Sequence, residues 1–154
     1  MTSSSPARWL LLGLLAASPA WAGLGEAESS IDSARVRMRA QHSQVRAAQY
    51  TVHELKMADG SRVRQFVAGN GQVFAVNWTT LYKPDLFSLL GSSYGKYNDA
   101  VQAAAQRGGI QRQFRHDGAD LVVQSSAHLN VYRGFAYRPS MLPAGMRFQT
   151  LGQG

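Results

Sequence analysis

A hydrolase or a metal centre would have to be assembled from histidine, serine and carboxylate side chains, and this chain places few of them at a useful spacing. His53-Glu54 begins as a zinc-protease motif does, in which two histidines one helical turn apart hold the metal and the glutamate serves as base. Position 57 is Met57, however, and the segment reads as a strand. His42, His116 and His128 stand apart from it and from each other, so no metal is expected. Ser125, Ser126 and His128 could supply a nucleophile and a base. Neither serine sits in a G-x-S-x-G elbow, and neighbours on one strand point to opposite faces. Gly91-Ser92-Ser93-Tyr94-Gly95-Lys96 is one residue short of a phosphate loop, and Tyr97 replaces the hydroxyl that would hold magnesium. With no cysteine there is no thiolate chemistry either.

Glu54 is the residue out of place, a carboxylate expected on the apolar face of a hairpin. Buried without a partner it would cost several kcal/mol, so it must reach Lys56 or the sheet edge, or else line a pocket. No second acid lies near it, so no catalytic residue and no cofactor are assigned. The alternative is a small periplasmic hydrolase using Glu54 with His53 or His128. Arg62 and Arg64 offer different chemistry: two guanidinium groups at i and i+2 can grip phosphate or carboxylate bidentately. Phe66 and His53, expected on the same face, would pack against the rest of the ligand. Arg62, Arg64, His53 and Phe66 are therefore the candidate binding residues, although paired arginines on a strand also serve simply as a solvated face or as protection against edge pairing.

These residues need a sheet to position them. Tyr50–Met57, Arg62–Ala68 and Gln72–Trp78 are rich in branched and aromatic residues and are separated by Asp59-Gly60 and Asn70-Gly71, the dipeptides of two-residue hairpin turns. Counting from such turns pairs Lys56 with Val63 and Trp78, and sends Val52, Val63, Val67, Phe74, Val76 and Trp78 inward. Asp85 after Pro84 predicts a helix cap, and Leu86, Leu89, Leu90, Tyr94, Tyr97, Val101 and Ala104 mark one face of a helix reaching Gln106, weakened at Gly91 and Gly95. Ile110–His116 and Asp120–His128 flank Asp117-Gly118, a register that sets Phe114 against Leu121 and Arg115 against Asp120. A last strand runs from Leu129 to Tyr137. Upstream, Ile31, Ala34, Met38 and Val45 recur at helical spacing through Ser29–Ala47. The expected fold is α+β: an antiparallel sheet of about six strands built from hairpins, one central amphipathic helix packed on one face, and an N-terminal helical segment.

The first 22 residues set the compartment. One positive charge at Arg8, an apolar run from Trp9 to Ala17 and the break Ser18-Pro19-Ala20-Trp21-Ala22 follow the order of a secretory signal peptide, with cleavage between Ala22 and Gly23. The apolar run is far shorter than the roughly 20 residues that span a bilayer as a helix. The division expected is thus 1–22 signal peptide, 23–49 N-terminal helical segment, 50–138 α+β domain and 139–154 C-terminal tail, with no transmembrane segment in the mature chain. The whole chain has 154 residues and a net charge of +7. Losing Arg8 with the signal leaves a mature net charge of +6. In the periplasm or outside the cell the anions available to such a protein are envelope components and acidic proteins, and nucleic acid is not an expected partner.

Several stretches together resemble a known family: Tyr50-Thr51-Val52-His53-Glu54, then Gly71-Gln72-Val73-Phe74-Ala75-Val76-Asn77-Trp78, then Pro84-Asp85-Leu86 with Leu89-Leu90-Gly91, then Asp120-Leu121-Val122-Val123-Gln124-Ser125 with His128, and Leu142-Pro143-Ala144-Gly145. In this order they are similar to the secreted proteobacterial proteins grouped as domain of unknown function 2844. The resemblance implies an exported bacterial protein and carries no activity or functional residue with it. The function expected is that of an exported, non-catalytic, envelope-associated binding or accessory protein.

Overall fold

The computed structural model describes residues 23–108 and 112–147. The expected signal peptide, Ile110 at the start of one expected strand and the last residues of the expected tail lie outside the described residues. Element by element the chain runs α1 (Ser30–Met38), β1 (Gln41–Arg46), β2 (Tyr50–Lys56), β3 (Arg62–Ala68), β4 (Val73–Thr80), α2 (Leu86–Leu90), α3 (Tyr94–Gln106), β5 (Gln113–Asp117), β6 (Val122–His128) and β7 (Val131–Tyr137). The seven strands form one antiparallel sheet in the order β1-β2-β3-β4-β7-β6-β5. The helices carry the chain from β4 to the far edge, from which β5, β6 and β7 return as a meander to pair with β4.

The expected fold needs correction in three respects. The sheet has seven strands instead of about six, and the N-terminal segment is not helical throughout. Its helix stops at Met38, where Arg39 turns left-handed (φ 49°), and Gln41–Arg46 pairs residue for residue with β2. The physical reason lies in Arg39 to Gln44, which holds a single alanine and otherwise polar side chains. A helix there would bury almost nothing, while the free edge of β2 offers a full row of backbone partners. Val45 therefore leaves the expected helical stripe and pairs with Val52 on the adjacent strand. The central helix is also divided: Gly91 takes φ 49° and ψ −128°, and a single 3₁₀ turn at Gly91–Ser93 separates α2 from α3. Asp85 caps α2, its carboxylate accepting from Ser88 N at 3.2 Å and from Ser88 Oγ at 2.5 Å.

The register of the first hairpin is displaced by one residue from the count. Met57 N donates to Ser61 O, so the loop is Ala58-Asp59-Gly60, three residues with Gly60 at φ 87°, and Lys56 pairs with Arg62. Asp59 fixes this turn by accepting from Ser61 N at 2.8 Å. The second loop also has three residues, Gly69-Asn70-Gly71, but a bulge at Phe74 restores the pairing of Val63 with Trp78. At the third hairpin Gly118 N donates to Leu121 O, placing the turn at Ala119-Asp120 and Phe114 opposite Ser125. Arg115 and Asp120 consequently do not meet: Arg115 pairs with Asp117 and Asp120 with Lys96.

One face of the sheet is covered by the helices. Leu55, Val63, Val67, Val76, Trp78, Val123 and Ala136 pack there against Leu24, Ile31, Ala34, Leu89 and Leu90. A smaller cluster lies on the opposite face, where Phe66, Phe74 and Ala75 are covered by Met141, Leu142 and Met146 of the C-terminal segment. Val52 and Phe74 thus belong to this second face, the consequence of the one-residue slip and the bulge. The rest of that face is open.

A cationic row on the open face of the sheet

Strand pairing aligns a row of side chains across the open face at right angles to the strands. Gln41, Lys56, Arg62, Thr79, Arg133, Ser126 and Gln113 follow one another on β1, β2, β3, β4, β7, β6 and β5. Every position is cationic or neutral and polar. Lys56 and Arg62 stand directly opposite each other, an arrangement of like charges that destabilises an antiparallel pair. Arg62 and Arg133 flank Thr79 from its two neighbouring strands, with about 10 Å between their backbones. The row borders an open depression of about 480 Å³ lined by Arg62, Arg64, Arg133, Asn77, Gln124 and Phe135 among others, with no carboxylate among the described residues of the lining.

Arg64 belongs to the adjacent row and is already engaged. Its Nε donates to Glu54 Oε2 at 2.6 Å, and both side chains are about one quarter exposed. This resolves the placement of Glu54: it lies on the open face and its partner is Arg64, which sits opposite it on β3. Lys56, the partner expected along the same strand, is not needed. Phe66 shares the open face with Arg62 and Arg64 but is buried beneath the C-terminal segment, where its ring lies 6.0 Å from that of Tyr50. His53 is on the other side of the sheet. Of the four residues expected to act together, only Arg62 and Arg64 reach the depression. Arg133, which no short-range signal connects to them, completes it through the β4–β7 pairing.

His53 belongs instead to a chain of three groups on the helical face. His53 is 3% exposed, its Nδ1 lies 3.0 Å from His42 Nε2, and the two rings stack with an interplanar angle of 7°. Its Nε2 is 2.9 Å from Glu28 Oε1, close enough for charge to matter although not aligned as a hydrogen bond. Burial holds the His53 pKa below the ordinary imidazole value, Glu28 opposing the shift and His42 adding to it. No group of three or more potential metal ligands is gathered among the described residues.

Among the described residues the expected hydrolase pairs, Glu54 with His53 or with His128, are not brought together. Glu54 and His53 are neighbours on β2 and point to opposite faces. His128 ends β6, four strands across from β2, about 19 Å by strand spacing. Ser125 and Ser126 likewise face opposite ways, opposite Gly134 and Arg133 of β7. Among the described residues no helix is long and apolar enough to cross a membrane, which says nothing of strands.

No curated protein and no solved structure matches this chain. A family model does match, over residues 20–151, and the span takes in every strand and helix described above. By that match the chain belongs to the family described as protein of unknown function (DUF2844).

Proposed function

We propose that the protein is exported to the bacterial periplasm or beyond, and that it acts there without catalysis as a binding protein for an extended polyanion of the cell envelope, which it takes across the open face of its sheet. The observation that supports this best is the row Lys56, Arg62, Thr79, Arg133, Ser126: cations on neighbouring strands with hydroxyls between them and no acid in line. Repulsion between Lys56 and Arg62 is relieved when an anion lies between them, and the guanidinium groups of Arg62 and Arg133 fit phosphate or carboxylate bidentately. The polar character of the row favours a chain of repeated anionic groups over a lipid surface, since the exposed apolar Val45 of this face lies on the edge strand and outside the row. The sequence reading of the first 22 residues supports export.

Retention of the protein, recovered from cells expressing the whole chain, is to be compared on isolated cell-wall polymer and on phosphatidylglycerol vesicles over a salt series. Arg62→Glu with Arg133→Glu is expected to lower the salt concentration at which the protein leaves the polymer by at least half, with an unchanged circular-dichroism spectrum. Equal retention of parent and variant would overturn the reading, and so would retention on vesicles alone.

A further inference from the structure

We propose that a second site lies between α3 and the helical face of the sheet, and that it binds the acyl chain of an anionic amphiphile whose head group is held by Lys83 and Arg112. The cleft there has a volume of about 670 Å³, within the size range of small-molecule sites. Its helical wall is Tyr97, Val101, Ala104 and Ala105, and its sheet wall includes Trp78, Phe114 and Ala127. The space exists because α3 stands off the sheet. None of the helix's thirteen residues is fully buried, and it is held at its near end by the edge-on contact of Tyr97 with Phe114, 5.5 Å between ring centres, and by the Lys96–Asp120 ion pair at 2.6 Å.

Apart from the hydroxyls of Ser125, Ser126 and the tyrosines the walls are apolar, and they suit a hydrocarbon chain better than a polyanion. Among the described residues the charge in the lining is confined to Lys83 and Arg112, both exposed, and no carboxylate lines the cleft. Lys83 and Arg112 lie at the same end of the sheet, since Arg112 O accepts from Ala127 N, Ala127 pairs with Tyr132, and Tyr132 pairs with Thr80, three residues before Lys83. An apolar slot with its cations at that end matches a molecule that is apolar along its length and anionic at one end. The segment that carries Lys83 also exposes apolar side chains: Leu81, Tyr82 and Phe87 are 52%, 47% and 48% exposed. Trp78, Ser125 and Ser126 border both this cleft and the depression beside the Lys56–Arg62–Arg133 row, but the two share no cation, so charge reversal at Arg62 and Arg133 tells the two proposals apart.

Trp78 in the cleft wall provides the signal. The protein is to be titrated with 9,10-dibromostearate below its critical micelle concentration, with Trp78→Phe identifying which part of the fluorescence is being quenched. Dibromostearate is expected to quench Trp78, unbrominated stearate to reverse the quenching, and stearyl alcohol to do so about tenfold less effectively, the effect of losing two rim ion pairs. Lys83→Glu with Arg112→Glu should weaken stearate by about the same factor and leave the alcohol unchanged. Ala104→Phe, a substitution at a half-exposed helix position that fills the cleft, should abolish quenching in a protein whose circular dichroism is unaltered, while Arg62→Glu with Arg133→Glu should not affect it. Absence of quenching in the folded parent overturns the proposal. So does quenching that survives Ala104→Phe, and so does equal competition by acid and alcohol.

Discussion

Glu54 decides how many cations the open face can offer. Its 2.6 Å contact with Arg64 holds one guanidinium away from any ligand, and at about one quarter exposure the pair contributes no more than about 1 kcal/mol to stability. Replacing the carboxylate with an amide, Glu54→Gln, should therefore lower stability by less than about 1 kcal/mol and strengthen retention on polyanion, shifting elution to higher salt. Weaker retention in the variant would show that Glu54 positions Arg64 for the ligand instead of competing with it. On the other face His53 sets a pH dependence. Its pKa is lowered by burial, so between that value and the ordinary imidazole value the unfolded chain binds more protons than the native one. Stability should be fully present above about pH 6.5 and fall as the pH drops through the native pKa. Melting temperatures taken from pH 7.5 down to pH 5 should show this decline, and His53→Gln should flatten it. An equal slope in the variant would assign the decline to other groups.

At the scale of elements, the alternation of branched and aromatic residues marks β2, β3 and β4 plainly, and Asp85 marks the start of α2. What periodicity could not supply was register. Asp59-Gly60 and Asn70-Gly71 each occur inside a three-residue loop, and one extra residue turns His53 to one face and Val52 to the other. Nor could periodicity show that Arg39 to Gln44 would trade a helix for the edge of β2, since that choice depends on a strand later in the chain. Arg133 was hidden for the same reason: its neighbour Thr79 is 54 residues away in sequence and one strand away in space. The same long-range pairing makes Gly134 critical. A Cβ at this position would stand 2.3 Å from Trp78 Cζ2 and 2.6 Å from Gln124 O, so Trp78 packs flat where no side chain can be. Gly134→Ala should cost about 1–3 kcal/mol, seen as a lowered denaturation midpoint. Adding Trp78→Leu to that variant should cost less than Trp78→Leu costs the parent, because the clash with the ring has gone and only that with Gln124 O is left. Strict additivity would mean that the ring moves aside.

Across the whole molecule, the residues just past the expected cleavage point are part of the core. Gly23 is the first residue described, and it is already buried: a Cβ there would lie 2.5 Å from Ser88 O and 2.7 Å from Gly91 N. Leu24 is fully buried, with its N–H donating to Leu89 O at 3.0 Å. Gly25 N donates to Val73 O and Val73 N to Glu26 O, so four residues fasten the beginning of β4 to α2. A signal peptidase that cuts after Ala22 leaves this clasp whole. One that cuts two residues later removes Leu24 and opens a cavity worth about 2–5 kcal/mol. Material recovered from the periplasm should therefore have an intact mass beginning at Gly23, and a form engineered to begin at Gly25 should melt at least about 8 °C lower. A native mass that retains Met1 to Ala22 would sink the export reading. A Gly25 form as stable as the natural one would show instead that the clasp does not hold β4 to α2, leaving the cleavage point to be set by the peptidase alone.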